Sequence, residues 1–417
     1  MKKNNLIILG RIKLILVLAF SVTLINCSKS NDSTLPGELD TDNDGIIDFD
    51  DDCISIPGTA EFNGCPAPDV DEDTDSDGII DDEDDCPNEA GTIENNGCPE
   101  PDSDNDGVSD SEDECPNEAG TIALNGCPVD NTGNIPFDQI GNGVNLQPSY
   151  YNNGNPNIGY DLMDDYSAIQ SIRIEIEPFI AASQARQWLQ GAQDIGLTVI
   201  ATYHDNNDGG LGTDIVENLT NGAHWWVENY AELRESGPFI INMANEWGSH
   251  NITAQAYADA YNEAIEIVRG VYGGLIIIDV PGYGQNAKVA ADASALITDQ
   301  NIILSAHVYE GSYYQPEGRA LQASDLDQLE ATGRPCMIGE FGHDATPDLN
   351  ETEYADWRAI VEYARDDLGW PILAWAWNGD GGSSMNMVSP SWVENGSATT
   401  FTPDPEHMDR VINIIGN

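Results

Sequence analysis

Two glutamates in this chain stand at the ends of strongly apolar runs: Glu246 follows Phe239-Ile240-Ile241-Asn242-Met243-Ala244-Asn245, and Glu340 follows Cys336-Met337-Ile338-Gly339. A carboxylate in such a setting is costly to bury unpaired, so it needs partners or a task. Other polar groups stand at comparable places: Arg173, His204-Asp205, Asn245, His307 with Tyr309, and Trp375-Ala376-Trp377-Asn378. Two carboxylates facing each other suit glycoside cleavage. One keeps a proton for the leaving oxygen, while the other is ionised and attacks the sugar or activates water. Either glutamate alone would read as a member of a structural ion pair; two in matching contexts favour the chemical role. His204, His224, His250 and His343 lack a metal-ligand spacing, so neither a catalytic metal nor another catalytic cofactor is expected.

The elements that would position these residues follow from hydrophobic periodicity. Strands are predicted at Gly143–Pro148, Ser171–Ile176, Thr198–His204, Phe239–Glu246, Leu275–Pro281, Ile302–Tyr309, Met337–Phe341 and Ile372–Asn378. Between them lie amphipathic segments such as Ser183–Ile195, Ala254–Val271, Ala287–Thr298, Ser324–Ala331 and Glu351–Leu368, with a stunted first helix. Eight strands alternating with helices predict an α/β fold, a (β/α)8 TIM barrel catalytic domain over residues 137–417. Its active site would lie at the C-terminal strand ends. An open doubly wound sheet is the structural alternative, but no Gly-rich phosphate loop follows any strand.

The barrel should be preceded by an irregular, calcium-binding, disulfide-stapled repeat stalk over residues 40–128, joined by a linker at 129–136. No Lys or Arg occurs between Lys29 and Arg173, and the formal net charge is -58, which excludes a nucleic-acid partner. The acidity is periodic. Asp40, Asp42, Asp44, Asp48 and Asp51 recur as Asp73, Asp75, Asp77, Asp81 and Asp84, then as Asp102, Asp104, Asp106, Asp110 and Asp113. Alternate carboxylates on a Gly turn place hard oxygens around one point, as calcium requires, so structural Ca2+ is expected in each repeat. Cys53 and Cys65, Cys86 and Cys98, and Cys115 and Cys127 are each twelve apart, one pair per repeat, which suits disulfides in an oxidising exterior. Cys336 is left over and reads as an inert buried thiol.

Three resemblances sharpen these expectations. Residues 1–26, with Leu24-Ile25-Asn26 before Cys27, resemble a bacterial lipoprotein signal. Lipid on Cys27, a tether at 27–39 and an outer-membrane location facing the cell surface or periplasm would follow. The acidic repeats resemble thrombospondin type 3 repeats. From Gly143 to Asn417 the chain resembles family 5 glycoside hydrolases at Arg173, His204, Asn245, Glu246, His307, Tyr309, Glu340 and a strand-eight Trp.

The family resemblance implies that Glu246 is the acid/base and Glu340 the nucleophile. Asn245 would bind the sugar 2-hydroxyl, Arg173 and Tyr309 would hold Glu340 ionised, and His307 would support Glu246. The stretches Ala244-Asn245-Glu246-Trp247-Gly248, Ala306-His307-Val308-Tyr309-Glu310 and Gly339-Glu340-Phe341-Gly342-His343 resemble the bacterial β-mannanase branch. A monomer acting on a β-mannan-type polysaccharide is thus expected. The alternatives are an endo-β-1,4-glucanase and a non-catalytic, calcium-dependent glycan-binding surface protein. Trp377 is the expected sugar platform, with Trp375 deeper in the barrel; Trp225, Trp226, Trp247, Tyr313 and Tyr314 are candidates for further subsites.

Overall fold

Runs of Ile, Val and Leu too short for helices form the strands of a closed parallel barrel in a computed structural model, which describes residues 39–67, 72–129, 134–152, 154–206, 210–343, 354–381, 385–405 and 407–416. The strands are β1 (Gly143–Leu146), β2 (Ser171–Ile176), β3 (Thr198–Tyr203), β4 (Ile240–Asn242), β5 (Ile276–Asp279), β6 (Ile302–Tyr309), β7 (Cys336–Gly342) and β8 (Ile372–Ala374). They pair in sequence order, and β8 closes on β1 through Gly143 opposite Leu373. The first connection holds only a four-residue helix, α1 (Tyr160–Met163). The larger helices are α2 (Ala182–Asp194), α3 (Val216–Arg234) and α4 (Ala254–Arg269), followed by α5 (Ala287–Ser294), α6 (Asp327–Glu330), α7 (Trp357–Asp366) and α8 (His407–Ile415).

Side chains alternate between the two faces of each strand. Ile172, Ile174, Val199, Ala201, Ile241, Ile276 and Ile278 face the helices and join the main apolar core. Ile200, Ile240, Ile277, Ile303, Met337 and Leu373 form a second cluster, with Ile135 and Ile140 from the segment leading into β1. Two residues beyond this floor the same alternation presents Thr202, Asn242, Asp279 and Ser305, joined in the polar layer by Arg173 and His307. All are buried, so an apolar floor supports a polar layer.

Several expected strands are trimmed at their ends, and Phe239–Glu246 and Ile372–Asn378 each stop four residues early. β4 ends at Asn242 and Glu246 has a positive φ of 51°, a left-handed conformation that a strand does not accommodate. β8 ends at Ala374, before either of its tryptophans.

The chain divides into two compact units between Pro99 and Glu100. The first holds two acidic repeats, closed by the disulfides Cys53–Cys65 and Cys86–Cys98; the third repeat, with Cys115–Cys127, belongs to the same unit as the barrel. Within that unit the Thr121 hydroxyl donates to the Gly270 carbonyl at 2.7 Å and Leu124 packs on the main core. Cys336 is buried, and burial raises its thiol pKa. Among the described residues no helix is long and apolar enough to cross a membrane. The leader and Cys27 lie outside the described residues.

Candidate active site

The polar layer is organised around one guanidinium. Arg173 is fully buried, and its Nη1 donates to Glu340 Oε1 at 2.8 Å, Glu175 Oε1 at 2.9 Å and Asn145 Oδ1 at 3.0 Å. Its Nη2 donates to Asn245 Oδ1 at 2.6 Å and its Nε to Asn242 Oδ1 at 2.8 Å. The other Glu340 oxygen accepts from the Tyr309 hydroxyl at 2.6 Å. Burial alone pushes the Glu340 carboxyl upward, but His307, Arg173 and Tyr309 outweigh it, so its pKa lies below the ordinary carboxylate value.

Glu340 faces inward because the β6–β7 pairing shifts register between Ala306 and His307. Strict alternation from the floor residue Met337 would turn Glu340 outward with Ile338. The irregularity instead places Met337 and Glu340 on the same side, three residues apart, as β-bulges do.

Glu246 lies across the barrel mouth. Its Oε1 is 2.9 Å from His307 Nδ1, and single ligand atoms of Glu246, His307 and Glu340 lie within 4.8 Å of one another. Burial disfavours charge on His307, but Glu340, Asp279 and Glu246 together raise its pKa well above the free value. Glu246's backbone N–H donates to Asp279 Oδ2 at 3.0 Å, and its carbonyl accepts from Gly212 at 2.8 Å. Such a trio of groups has the spacing of a metal site, but a charged imidazolium and the donors on Glu340 leave it better suited to proton transfer.

The sequence thus singled out Arg173, Asn245, Glu246, His307, Tyr309 and Glu340, and the structure brings all six together. His204 sits on an adjoining branch. Its Nδ1 is 2.5 Å from Glu177 Oε1 and its Nε2 is 3.6 Å from Glu175 Oε2. Burial lowers the His204 pKa, but the two glutamates more than reverse this and bring it to about 9. Burial raises the Glu175 carboxyl to about 7 against the pull of His204 and Arg173. Glu175, Glu177 and Asp279 were not singled out, although Asp279 ends the run Ile276-Ile277-Ile278 as Glu246 ends its own.

The aromatic expectations need correction. Trp377 is 0% exposed and its indole N–H donates to the Ile158 carbonyl at 3.0 Å, so no face is open to a sugar. Trp375 is the partly exposed one, its indole N–H held by Asp380 Oδ1 at 2.9 Å. Both lie beyond β8, where alternation from the strand no longer ranks their depth. Trp225 and Trp226 lie on α3 and are buried against their neighbours, while Trp247 packs on Tyr257 and Tyr261; Tyr314 is buried as well, and of this group Tyr313 alone is exposed.

In the acidic repeats the carboxylate trios Asp40/Asp42/Asp44, Asp73/Asp75/Asp77 and Asp102/Asp104/Asp106 each bring ligand oxygens within 4.8 Å. Buried oxygens of Asp42, Asp51, Asp75, Asp84, Asp104 and Asp113 lack hydrogen-bond partners. Burial, with like-charged neighbours, raises the pKa of Asp42, Asp75 and Asp104. Orphaned anionic oxygens at this density fit a hard cation. Asp48, Asp81 and Asp110 stand outside these trios, and each accepts from the backbone and hydroxyl of Thr41, Thr74 or Ser103.

Residues 173–381 match the family model described as cellulase (glycosyl hydrolase family 5), and residues 97–122 match that of the thrombospondin type 3 repeat. Among solved structures, the catalytic domain of a mannanase from Streptomyces sp. SirexAA-E is 18% identical with a TM-score of 0.52, covering 72% of this chain and 92% of its own. A family 5 cellulase from an Icelandic hot spring isolate is 14% identical with a TM-score of 0.50, covering 67% of this chain and 88% of its own. At these identities the likeness shows the fold. No curated protein matches the chain.

Proposed function

The chain belongs to glycosyl hydrolase family 5, and from that membership we propose that it is a retaining endo-β-1,4-mannanase acting on mannan, glucomannan or galactomannan. The observation that carries the mechanism is the facing pair: one oxygen of Glu246 and one of Glu340 come within 4.8 Å, both beside the His307 ring, so the two carboxyl groups share one face of the barrel mouth. Retaining pairs stand about 5–5.5 Å apart, whereas inverting pairs need roughly 6.5–9.5 Å to admit water.

In the first step a Glu340 oxygen bonds to the anomeric carbon as the bond to the leaving oxygen breaks, and Glu246 transfers its proton to that oxygen. In the second, water attacks the same carbon, Glu246 takes the water's proton and the bond to Glu340 breaks. Arg173 and Tyr309 stabilise Glu340 as an anion before attack and on release. The amide oxygen of Asn245 is taken by Arg173, which turns its NH2 toward the sugar 2-hydroxyl. Trp375 replaces Trp377 as the stacking face.

Mannan is favoured over glucan by the mannanase-like strand-end stretches around Glu246, His307 and Glu340. The cellulase description of the family model favours endo-β-1,4-glucanase as a second reading. Reducing-sugar release from glucomannan, galactomannan and carboxymethylcellulose separates the two, and proton NMR of the first product should show the β-anomer. An α-anomer would remove Glu340 as nucleophile. Glu340→Ala should abolish turnover, with azide restoring it as the glycosyl azide of opposite configuration.

The same reading gives the repeats structural calcium and Cys27 a lipid that holds a monomeric enzyme at a bacterial outer membrane. Cys27→Ala should move the protein from the membrane fraction to the soluble one; unchanged fractionation would remove the anchor.

A further inference from the structure

We propose that Asp279 is a positioning residue for Glu246: one buried carboxylate at the end of β5 fixes both the backbone from which the proton donor projects and the histidine beside its head. The proposal rests on the reading of Glu246 as acid/base. Asp279 Oδ2 accepts the Glu246 backbone N–H at 3.0 Å and lies 3.4 Å from Arg173 Nη2. Its Oδ1 accepts Asn242 Nδ2 at 3.3 Å and lies 3.6 Å from His307 Nε2, a charge contact rather than a hydrogen bond. His307 in turn meets the Glu246 carboxyl through Nδ1. Asp279 therefore holds Glu246 from its root and, through His307, from its tip.

The root needs holding. A φ of 51° is unfavourable for a residue with a Cβ and persists only where the surroundings impose it. The Asp279 contact on the Glu246 N–H and the Gly212 contact on its carbonyl supply that constraint from both sides of the residue. Asp279 is itself fixed, because the Tyr257 hydroxyl donates to its backbone carbonyl at 2.6 Å. Its carboxylate is held ionised: burial opposes the charge, but His307, Arg173 and the Glu246 N–H outweigh it and lower the pKa to about 2. The groups facing it are Arg173 from β2, Asn242 and Glu246 from β4 and its loop, His307 from β6, Glu340 from β7, and Tyr257 and Tyr261 from α4.

An anion is required at this point, because the four groups that meet its two oxygens, the Arg173 guanidinium, the Asn242 amide NH2, the Glu246 N–H and the His307 ring, are all donors. An amide at 279 would satisfy one side with its oxygen and turn its NH2 against donors on the other, whichever way it is flipped. Asp279→Asn should thus loosen the aim of Glu246 and lower the charge on His307 while preserving side-chain volume.

The test compares full-length wild type and Asp279→Asn on aryl β-glycosides of whichever sugar the wild type cleaves, and follows His307 by nitrogen-15 NMR. With a poor leaving group, which needs Glu246's proton, kcat should fall about 10²-fold with little change in KM. With a 2,4-dinitrophenyl leaving group the first step should fall less than about tenfold. The His307 ring nitrogens should shift toward the neutral form at a lower pH than in wild type. Equal losses on both leaving groups, or His307 signals unmoved by the substitution, would overturn the proposal. Should Asp279→Asn fail to fold, Asp279→Glu displaces the charge by one methylene and the same two readouts decide. A wild type inactive on every β-glycan would remove the proposed function, while the His307 signals would still decide whether Asp279 sets that ring's charge.

Discussion

Tyr309 and Arg173 favour the same anion by different routes, one through a hydrogen bond at 2.6 Å and the other through a full charge at 2.8 Å. Both hold Glu340 ionised below the pH, about 4.3, at which an ordinary glutamate takes up its proton. The folded pKa is thus below the unfolded one, so the stability contributed by this ionisation is present above the unfolded value and is lost as pH falls through the folded value. Activity should follow the same limb. Tyr309→Phe removes a hydrogen bond to a charged group, worth roughly 1.5–3 kcal/mol. The acid limb of kcat/KM should move to higher pH, with a rate loss of about 10- to 100-fold at the optimum. An acid limb unmoved in a pH–rate profile would show that the hydroxyl does not tune Glu340. At this scale the sequence was informative where a polar residue interrupts or ends an apolar run, as at Arg173, His307 and Glu340. Glu175 and Glu177 escaped notice because alternation with Ile174 and Ile176 is what a strand with one wet face also looks like. What makes that face interior is the closure of the barrel, a property of all eight strands together.

Strand identity was legible because β2 and β6 are short Ile-rich runs bounded cleanly by flanking loops, and the structure places them at Ser171–Ile176 and Ile302–Tyr309 as expected. Strand ends were less so. Composition continues through Met243 and Ala244 after β4 has ended, since buried loop residues at a barrel mouth are as apolar as strand residues. The same effect misassigned the two tryptophans after β8. Trp377→Ala should behave as a core truncation, lowering stability by about 3–5 kcal/mol in urea denaturation. Trp375→Ala should leave most of that stability in place and instead weaken substrate binding, by about 1–3 kcal/mol at the stacking face. The reverse pattern would restore Trp377 as the platform. The register shift before Glu340 was invisible for a related reason. It is visible only in the pairing of β6 with β7, because neither strand's own sequence departs from a plausible alternation.

At the scale of the whole molecule, the three repeats are near copies that have diverged where one of them meets the barrel. Repeat two reads Thr92-Ile93-Glu94-Asn95-Asn96-Gly97-Cys98, and repeat three Thr121-Ile122-Ala123-Leu124-Asn125-Gly126-Cys127. Both keep Thr, Ile and the Asn-Gly turn, but Glu94 and Asn95 become Ala123 and Leu124. Leu124 packs on the barrel core, and Ala123 lies 3.4 Å from the position a Cβ would take at Gly270, beside the Thr121 contact. A charged side chain at 123 would be desolvated there, and an amide at 124 would remove apolar contact. Calcium held by the third carboxylate trio would link to this surface through Asp106, whose Oδ2 accepts the Gly120 N–H at 2.7 Å just before the docking residues. An ion that ties Asp102, Asp104 and Asp106 together stiffens the loop from which Thr121 projects, and binding to the folded form alone raises its stability. Chelation of the wild type should therefore lower the barrel's melting temperature, at about 2–4 °C for each kcal/mol lost. Ala123→Glu/Leu124→Asn, which gives repeat three the chemistry of repeat two, should lower it with calcium present and remove most of the chelator's further effect. Calorimetry with and without chelator reads both. A barrel transition as sensitive to chelator in the double variant as in the wild type would show that the third repeat does not brace the catalytic unit.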